Sequence, residues 1–127
     1  MANDRSTFIK IGDEEYELLL TTRATKEIAK RYGGLDKLGD KLLKNEDIET
    51  ALVEVIWLIT ILANQPILIY NFKNKENQKE LLTEEIVELF TTPNELAHFK
   101  EAITESLLKG TKRNVVSEEN SKNVVGE

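Results

Sequence analysis

Few side chains in this sequence are able to do chemistry, and their spacing decides what they can do. His98 is the only histidine, with Glu95 one helical turn before it and Glu101 and Glu105 after it. A serine–histidine–acid relay would have to bring Ser106 or another serine to His98, and nothing in the chain resembles a nucleophile elbow. A zinc site would need carboxylates at almost every position around that one imidazole, unlike the nitrogen- and sulfur-rich sets zinc takes. His98 therefore reads as an exposed helix residue among salt-bridging acids. The chain has no cysteine, which removes thiol nucleophiles, thiolate metal sites and disulfides together.

The remaining polar clusters have plainer explanations. Glu84, Glu85 and Glu88 fall at the start of a helical pattern, where acids complement the positive end of the helix dipole. Asp13-Glu14-Glu15 lacks the alternating oxygen ligands and central glycine of a calcium loop, so it reads as a charged turn. Gly33-Gly34 has neither the preceding strand nor the Gly-Lys-Ser/Thr ending of a phosphate cradle. Lys37, Lys41 and Lys44 align at helical spacing, but Asp36, Asp40 and Glu46 dilute them into a solvated face. A net charge of −6 disfavours both nucleic acid and anionic lipid and serves solubility. No catalytic, cofactor-binding or metal-ligating residue is assigned, and an enzyme is not expected.

What is left is apolar. Trp57, Ile67, Leu68, Ile69, Tyr70 and Phe72 form a dense stretch beside a polar loop. All of them belong to the core in one reading. In the other, Ile67, Leu68, Ile69, Tyr70 and Phe72 supply exposed surface for a protein partner.

The elements that must position these residues follow from periodicity. Residues 8–11 and 16–20 read as two strands joined by Gly12-Asp13-Glu14-Glu15, with Ile9 and Ile11 on one face and Leu18 and Leu20 on one face. A lone hairpin is marginal in water, so it must lie on helices. Ala24, Ile28 and Tyr32 mark a helix that Gly33-Gly34 ends, and Leu35, Leu38 and Leu42 a second, interrupted by Gly39. Residues 45–47 form a polar break, and the helix from Ile48 is apolar on nearly every side, as a central helix covered all round would be. Its expected end lies near Asn64, with Pro66 stopping or kinking it. Residues 71–80 read as a loop or an exposed extension. Thr83 caps a helix through Phe90, and Thr92-Pro93-Asn94-Glu95 is a capping box opening the last helix. Leu96, Phe99, Ile103 and Leu107 are its buried stripe, and Gly110 its expected stop.

These pieces predict an α+β domain, mainly helical, with an N-terminal β-hairpin packed on about five helices. Residues 1–7 are expected to be a flexible N-terminus, 8–110 a single globular domain and 111–127 a loose polar tail with too little apolar surface to offset ordering. Residues 51–70 are long and apolar enough to span a bilayer. Glu54, Thr60, Asn64, Gln65 and Pro66 within them favour a buried core helix instead, so no membrane is expected. The polar start of the chain has no apolar run of a secretory signal, and the cytoplasm is the expected compartment.

The layout resembles the tail assembly chaperones of long-tailed phages and of prophages in Gram-positive bacteria. The resemblance is carried by the hairpin Phe8-Ile-Lys-Ile-Gly-Asp-Glu-Glu-Tyr-Glu-Leu and by the helix end Ile28-Ala-Lys-Arg-Tyr-Gly-Gly-Leu35. The aliphatic helix Trp57-Leu-Ile-Thr-Ile-Leu-Ala-Asn-Gln65 and a polar tail with Ser121-Lys-Asn123 complete it, so that it covers most of the chain from Phe8 onward. It implies a non-catalytic role without cofactor: binding the aggregation-prone tape measure protein in the host bacterial cytoplasm until tail-tube subunits assemble, and absence from the mature virion. It also implies contact with the tail-tube protein, self-association into oligomers, and short and frameshift-extended products, this chain matching the short one. The competing expectation is a small protein-binding regulator, antitoxin-like or a phage regulatory protein.

Overall fold

Inward and outward side chains alternate at the start of the chain, and this sets the first element. In the computed structural model, which describes residues 7–38 and 48–126 with side chains over 7–38 and 49–110, strand β1 (Thr7–Ile11) buries Thr7, Ile9 and Ile11 and exposes Phe8 and Lys10. It pairs antiparallel with β2 (Glu14–Leu18), Ile11 opposite Glu14 and Thr7 opposite Leu18. The connection is thus two residues, Gly12 and Asp13, not the four expected. Glu14 and Glu15 are exposed strand positions. Gly12 holds φ +62° while Asp13 is not positive, the sign pattern of a type II′ turn, which wants glycine first.

Helix α1 (Thr22–Tyr32) begins where the Thr21 hydroxyl accepts from the Ala24 amide at 3.1 Å. It ends at Gly33, whose left-handed backbone lets its amide reach the Ala29 carbonyl at 2.7 Å. A helical turn follows at 35–38, with Leu38 buried. The expected continuation through Gly39 and Leu42 and the polar cap at 45–47 lie outside the described residues.

Helix α2 (Ile48–Lys73) is the axis of the fold and runs straight through Pro66. The expected end near Asn64 is therefore wrong, and the reason is specific. Proline has no amide proton, so the carbonyl four residues earlier, that of Leu62, loses its intrahelical donor. The Leu19 amide, just past the end of β2, donates to that carbonyl at 3.2 Å. Next to it, Thr21 donates its hydroxyl to Gln65 Oε1 at 2.6 Å, and Gln65 Nε2 donates to the Ile61 carbonyl at 2.9 Å. Gln65 is buried, with both its oxygen and its nitrogen hydrogen-bonded. The chain segment between hairpin and α1 is thus fastened onto the proline gap.

One face of α2 carries Val55, Leu58, Ile59, Leu62 and Ala63 into the core. This face packs on β2, on α3 (Glu84–Phe90) and on α4 (Pro93–Gly126), and α4 also backs β1. Both expected caps are present. Thr83 Oγ1 accepts from the Ile86 amide at 3.1 Å, while Thr92 and Glu95 exchange bonds of 2.9 and 3.3 Å. Leu96 and Ile103 are buried in α4, with Phe99 and Leu107 packed on the core.

The helix passes Gly110 instead of stopping there. This glycine is buried, and a Cβ on it would come within 2.7 Å of Leu20 Cδ2 and 2.8 Å of Leu20 Cβ, so it serves a close approach of α4 to the segment after β2. The tail expected at 111–127 falls beyond the described side chains. Among the described residues α2 is the one helix long and apolar enough to cross a membrane, and 44% of its most apolar window is buried in the fold.

The Leu19 amide lies outside every helix and strand, yet it is expected to exchange with deuterium as slowly as amides in the middle of α2. Amide-resolved exchange measures this. Exchange at the rate of the 74–80 loop would show that the Leu62 carbonyl is not filled from Leu19.

Candidate protein-binding groove

Opposite its core face, α2 carries a second stripe. Trp57, Ile61, Asn64, Gln65, Leu68 and Phe72 recur at three- and four-residue intervals and so share one side of the helix. The structure leaves that side partly uncovered. Two concavities, of about 480 and 340 Å³, lie along it and share Arg23, Gln65 and Leu68, so they form one trough. Arg23 and Glu27 of α1 stand on one flank. Lys75, Gln78 and Leu81 of the loop after α2, with Glu84 at the start of α3, stand on the other. A helix apolar all round was expected to be covered all round; this one is fully covered on its core face, while along the stripe Trp57, Ile61 and Leu68 are half-buried and Phe72 is exposed.

The loop flank is held by two asparagines. Asn64 Nδ2 donates to the Leu82 carbonyl at 2.8 Å, and its Oδ1 accepts from the Leu82 amide at 2.7 Å. Asn71 repeats the pattern with Lys79, at 2.9 and 2.8 Å. The lengths match. Seven helical residues rise roughly 10.5 Å, and the three extended residues from 79 to 82 span roughly 10 Å. Each side-chain amide imitates a strand neighbour, so a loop without regular structure runs pinned along α2. Sequence reasoning missed both. Their signal is a pair of asparagines seven apart inside an apolar helix, where asparagine is otherwise a poor choice.

At the N-terminal end of the stripe, a polar cluster supports Trp57. The Arg31 guanidinium stacks 4.5 Å from the Trp57 ring centre, and its Nε lies 3.2 Å from Glu54 Oε1. Tyr32 donates its hydroxyl to the same oxygen and meets Trp57 edge to face, centroids 6.1 Å apart. Glu54, the residue that most disfavoured a membrane span, is thus paired inside the domain. Burial, and after it the hydrogen bond to Glu54, push the Tyr32 phenol well above its ordinary 10.0.

Neither a scan of family models nor searches of curated proteins and of solved structures returned a match.

Of the five residues marked in the sequence as a partner surface, Leu68, Ile69 and Phe72 line the trough. Phe72 is 74% exposed and Ile69 40%. Ile67 and Tyr70 are half-buried and lie outside the lining, Tyr70 with the Lys79 ammonium 4.2 Å above its ring. The structure separates His98 and Ser106: the histidine is exposed on α4 and the serine fully buried. Among the described residues no group of three His, Asp or Glu side chains converges.

Replacing Asn64 with alanine leaves the buried Leu82 amide and carbonyl without partners, which is expected to cost about 1–3 kcal/mol. Asn71→Ala, whose bonds are exposed, is expected to cost less than half as much. Urea unfolding of both variants checks the order. Tyr32 gives a pH signature. Its folded pKa is raised, so the stability it contributes is complete below the unfolded value of 10.0 and drains away as pH rises toward the folded one. Tyr16 shifts the same way through burial and then Glu14, so Tyr32→Phe should flatten, without abolishing, the alkaline fall in unfolding midpoint between about pH 9 and about pH 12.

Proposed function

We propose that this protein is a non-catalytic chaperone whose groove along α2 receives an amphipathic helix of a larger, aggregation-prone protein. The observation that carries the proposal is the divided surface of α2. Its sequence is apolar all round, yet the rest of the chain covers its core face fully and the stripe opposite only in part, leaving Ile69 and Phe72 exposed beside half-buried Trp57, Ile61 and Leu68. Apolar stripes left facing a trough mark helix-in-groove recognition. The net charge of −6 suits a binder that must keep a sticky client dissolved.

Together with the resemblance to tail assembly chaperones, this makes the tape measure protein of a phage or prophage tail the proposed client, held in the host bacterial cytoplasm and released before the virion is complete. Tape measure proteins are long and helical, the form the groove suits. Contact with the tail-tube protein and self-association belong to the same proposal. An antitoxin-like or regulatory binder would use the groove for a single folded partner, and the test distinguishes them by client.

The chain and the tape measure protein of its own genome are to be co-expressed. Wild-type chain is expected to raise the client's soluble fraction and to co-purify with it. Ile69→Glu combined with Phe72→Glu is expected to reduce capture on the order of tenfold or more, because each places a charge on an apolar contact. Both sites are exposed enough for the fold to survive, which circular dichroism checks. His98→Ala is expected to change nothing. A client that stays insoluble with wild-type chain, or is captured equally by the double variant, would overturn the proposal.

A further inference from the structure

The walls of the groove are charged, and their signs differ from end to end. Trp57 and Ile61 mark one end, where Glu27 of α1 and Glu84 at the start of α3 line the walls. Ile69 and Phe72 mark the other, lined by Lys75, whose ammonium lies 5.1 Å from the Phe72 ring centre, and by Arg23, which reaches the middle of the trough. Glu76 and Glu80 belong to the same loop but are not part of the lining. Glu54, beneath Trp57, is paired with Arg31 and adds little to the field above it. The trough therefore runs from acidic to basic along the direction of α2.

Resting on the groove's role as a helix site, we infer that it takes its helix in one direction, antiparallel to α2. The occupant carries acids in its first turn and bases in its last. The acids lie over Lys75 and Arg23, and the bases over Glu27 and Glu84.

Three features agree with this direction. The charges complement one another at both ends. A helix with acidic start and basic end is the kind its own dipole favours, so the selected client is one able to form. The occupant's dipole would also oppose that of α2 beneath it. Size fits as well: from Trp57 to Phe72 the floor is roughly 22 Å long, about four helical turns. A helix that short is marginal alone in water, so it orders on docking. The wall charges are solvent-facing, so the preference for direction should be on the order of tenfold at low salt and should shrink as salt rises.

Trp57 is the only tryptophan and sits at one end of the groove, so it reports direction by itself. The probe is a synthetic amphipathic peptide of about eighteen residues, glutamates in the first turn, a leucine stripe, lysines in the last turn. It carries a nitroxide at one terminus or the other, and binding to the full-length chain is followed separately by peptide anisotropy. A C-terminal nitroxide is expected to quench Trp57 several-fold more than an N-terminal one, and Glu27→Lys with Lys75→Glu to weaken binding and erase the difference. Equal quenching, or stronger quenching from the N-terminal label, would overturn the direction while leaving the groove as a binding site. No binding of the peptide would overturn the inference, and the co-expression experiment decides independently whether the chaperone proposal falls too. A stable dimer of the chain that shields Trp57 and is not displaced by peptide would assign the groove to a second copy and end the inference.

Discussion

Proline in the interior of a helix normally costs about 3 kcal/mol, because a hydrogen bond is lost and the ring presses on the carbonyl one turn back. In this protein the orphaned carbonyl, that of Leu62, is used. It receives the Leu19 amide, and that bond fixes where the hairpin's exit crosses α2. Once Leu19 is placed, Thr21 stands beside Gln65, and a single hydroxyl both starts α1 and ties it to α2. The position of α1 then determines one wall of the groove. Gly110 completes the arrangement from the far side, since only a residue without a side chain lets α4 approach Leu20 closely. The hairpin's exit fills the gap in the helix ladder, the first helix is tied one residue away at Gln65, and the last helix closes on the same segment at Leu20.

How much of this was written in local sequence depends on the range of the interaction. Caps are local, and Thr83 and the Thr92–Glu95 box behaved as their spacing implied. The hairpin was legible from alternation, but its turn was misjudged because Glu14 and Glu15 have turn-like composition. Glu15 sits on the outward face opposite Lys10, Glu14 stays exposed at the strand's start although it lies opposite Ile11, and the turn needs only Gly12 and its neighbour. The length of α2 was misjudged for a different reason. Proline announces that a donor is missing; it does not say which distant amide will replace it. The groove was half visible. The apolar run from Ile67 to Phe72 drew notice, but the walls come from α1 and the loop, which reach it only through tertiary contacts at Gln65, Asn64 and Asn71.

The two faces of α2 also divide the domain's energetics. The core face is dry and aliphatic and supplies the hydrophobic stabilisation. The groove face alternates half-exposed apolar groups with amides that are already bonded to the chain. That alternation keeps an uncovered stripe from behaving as one large sticky patch. It also means that Asn64 and Gln65 already hold part of their hydrogen-bonding capacity within the chain, which lowers the desolvation cost of covering them with an apolar partner.

The asparagine clamps have a consequence for how such a protein diversifies. Residues 73–78 bridge the end of α2 to Lys79, and Lys75 and Gln78 among them face the trough. Because the loop is tied to α2 at Asn74, through the Tyr70 and Asn71 carbonyls, and again at Lys79 and Leu82, the residues between Asn74 and Lys79 have room to change in identity and number. The scaffold keeps its shape while one rim of the cleft is rewritten. A lineage meeting a changed partner can retune recognition in that short stretch, without renegotiating the core.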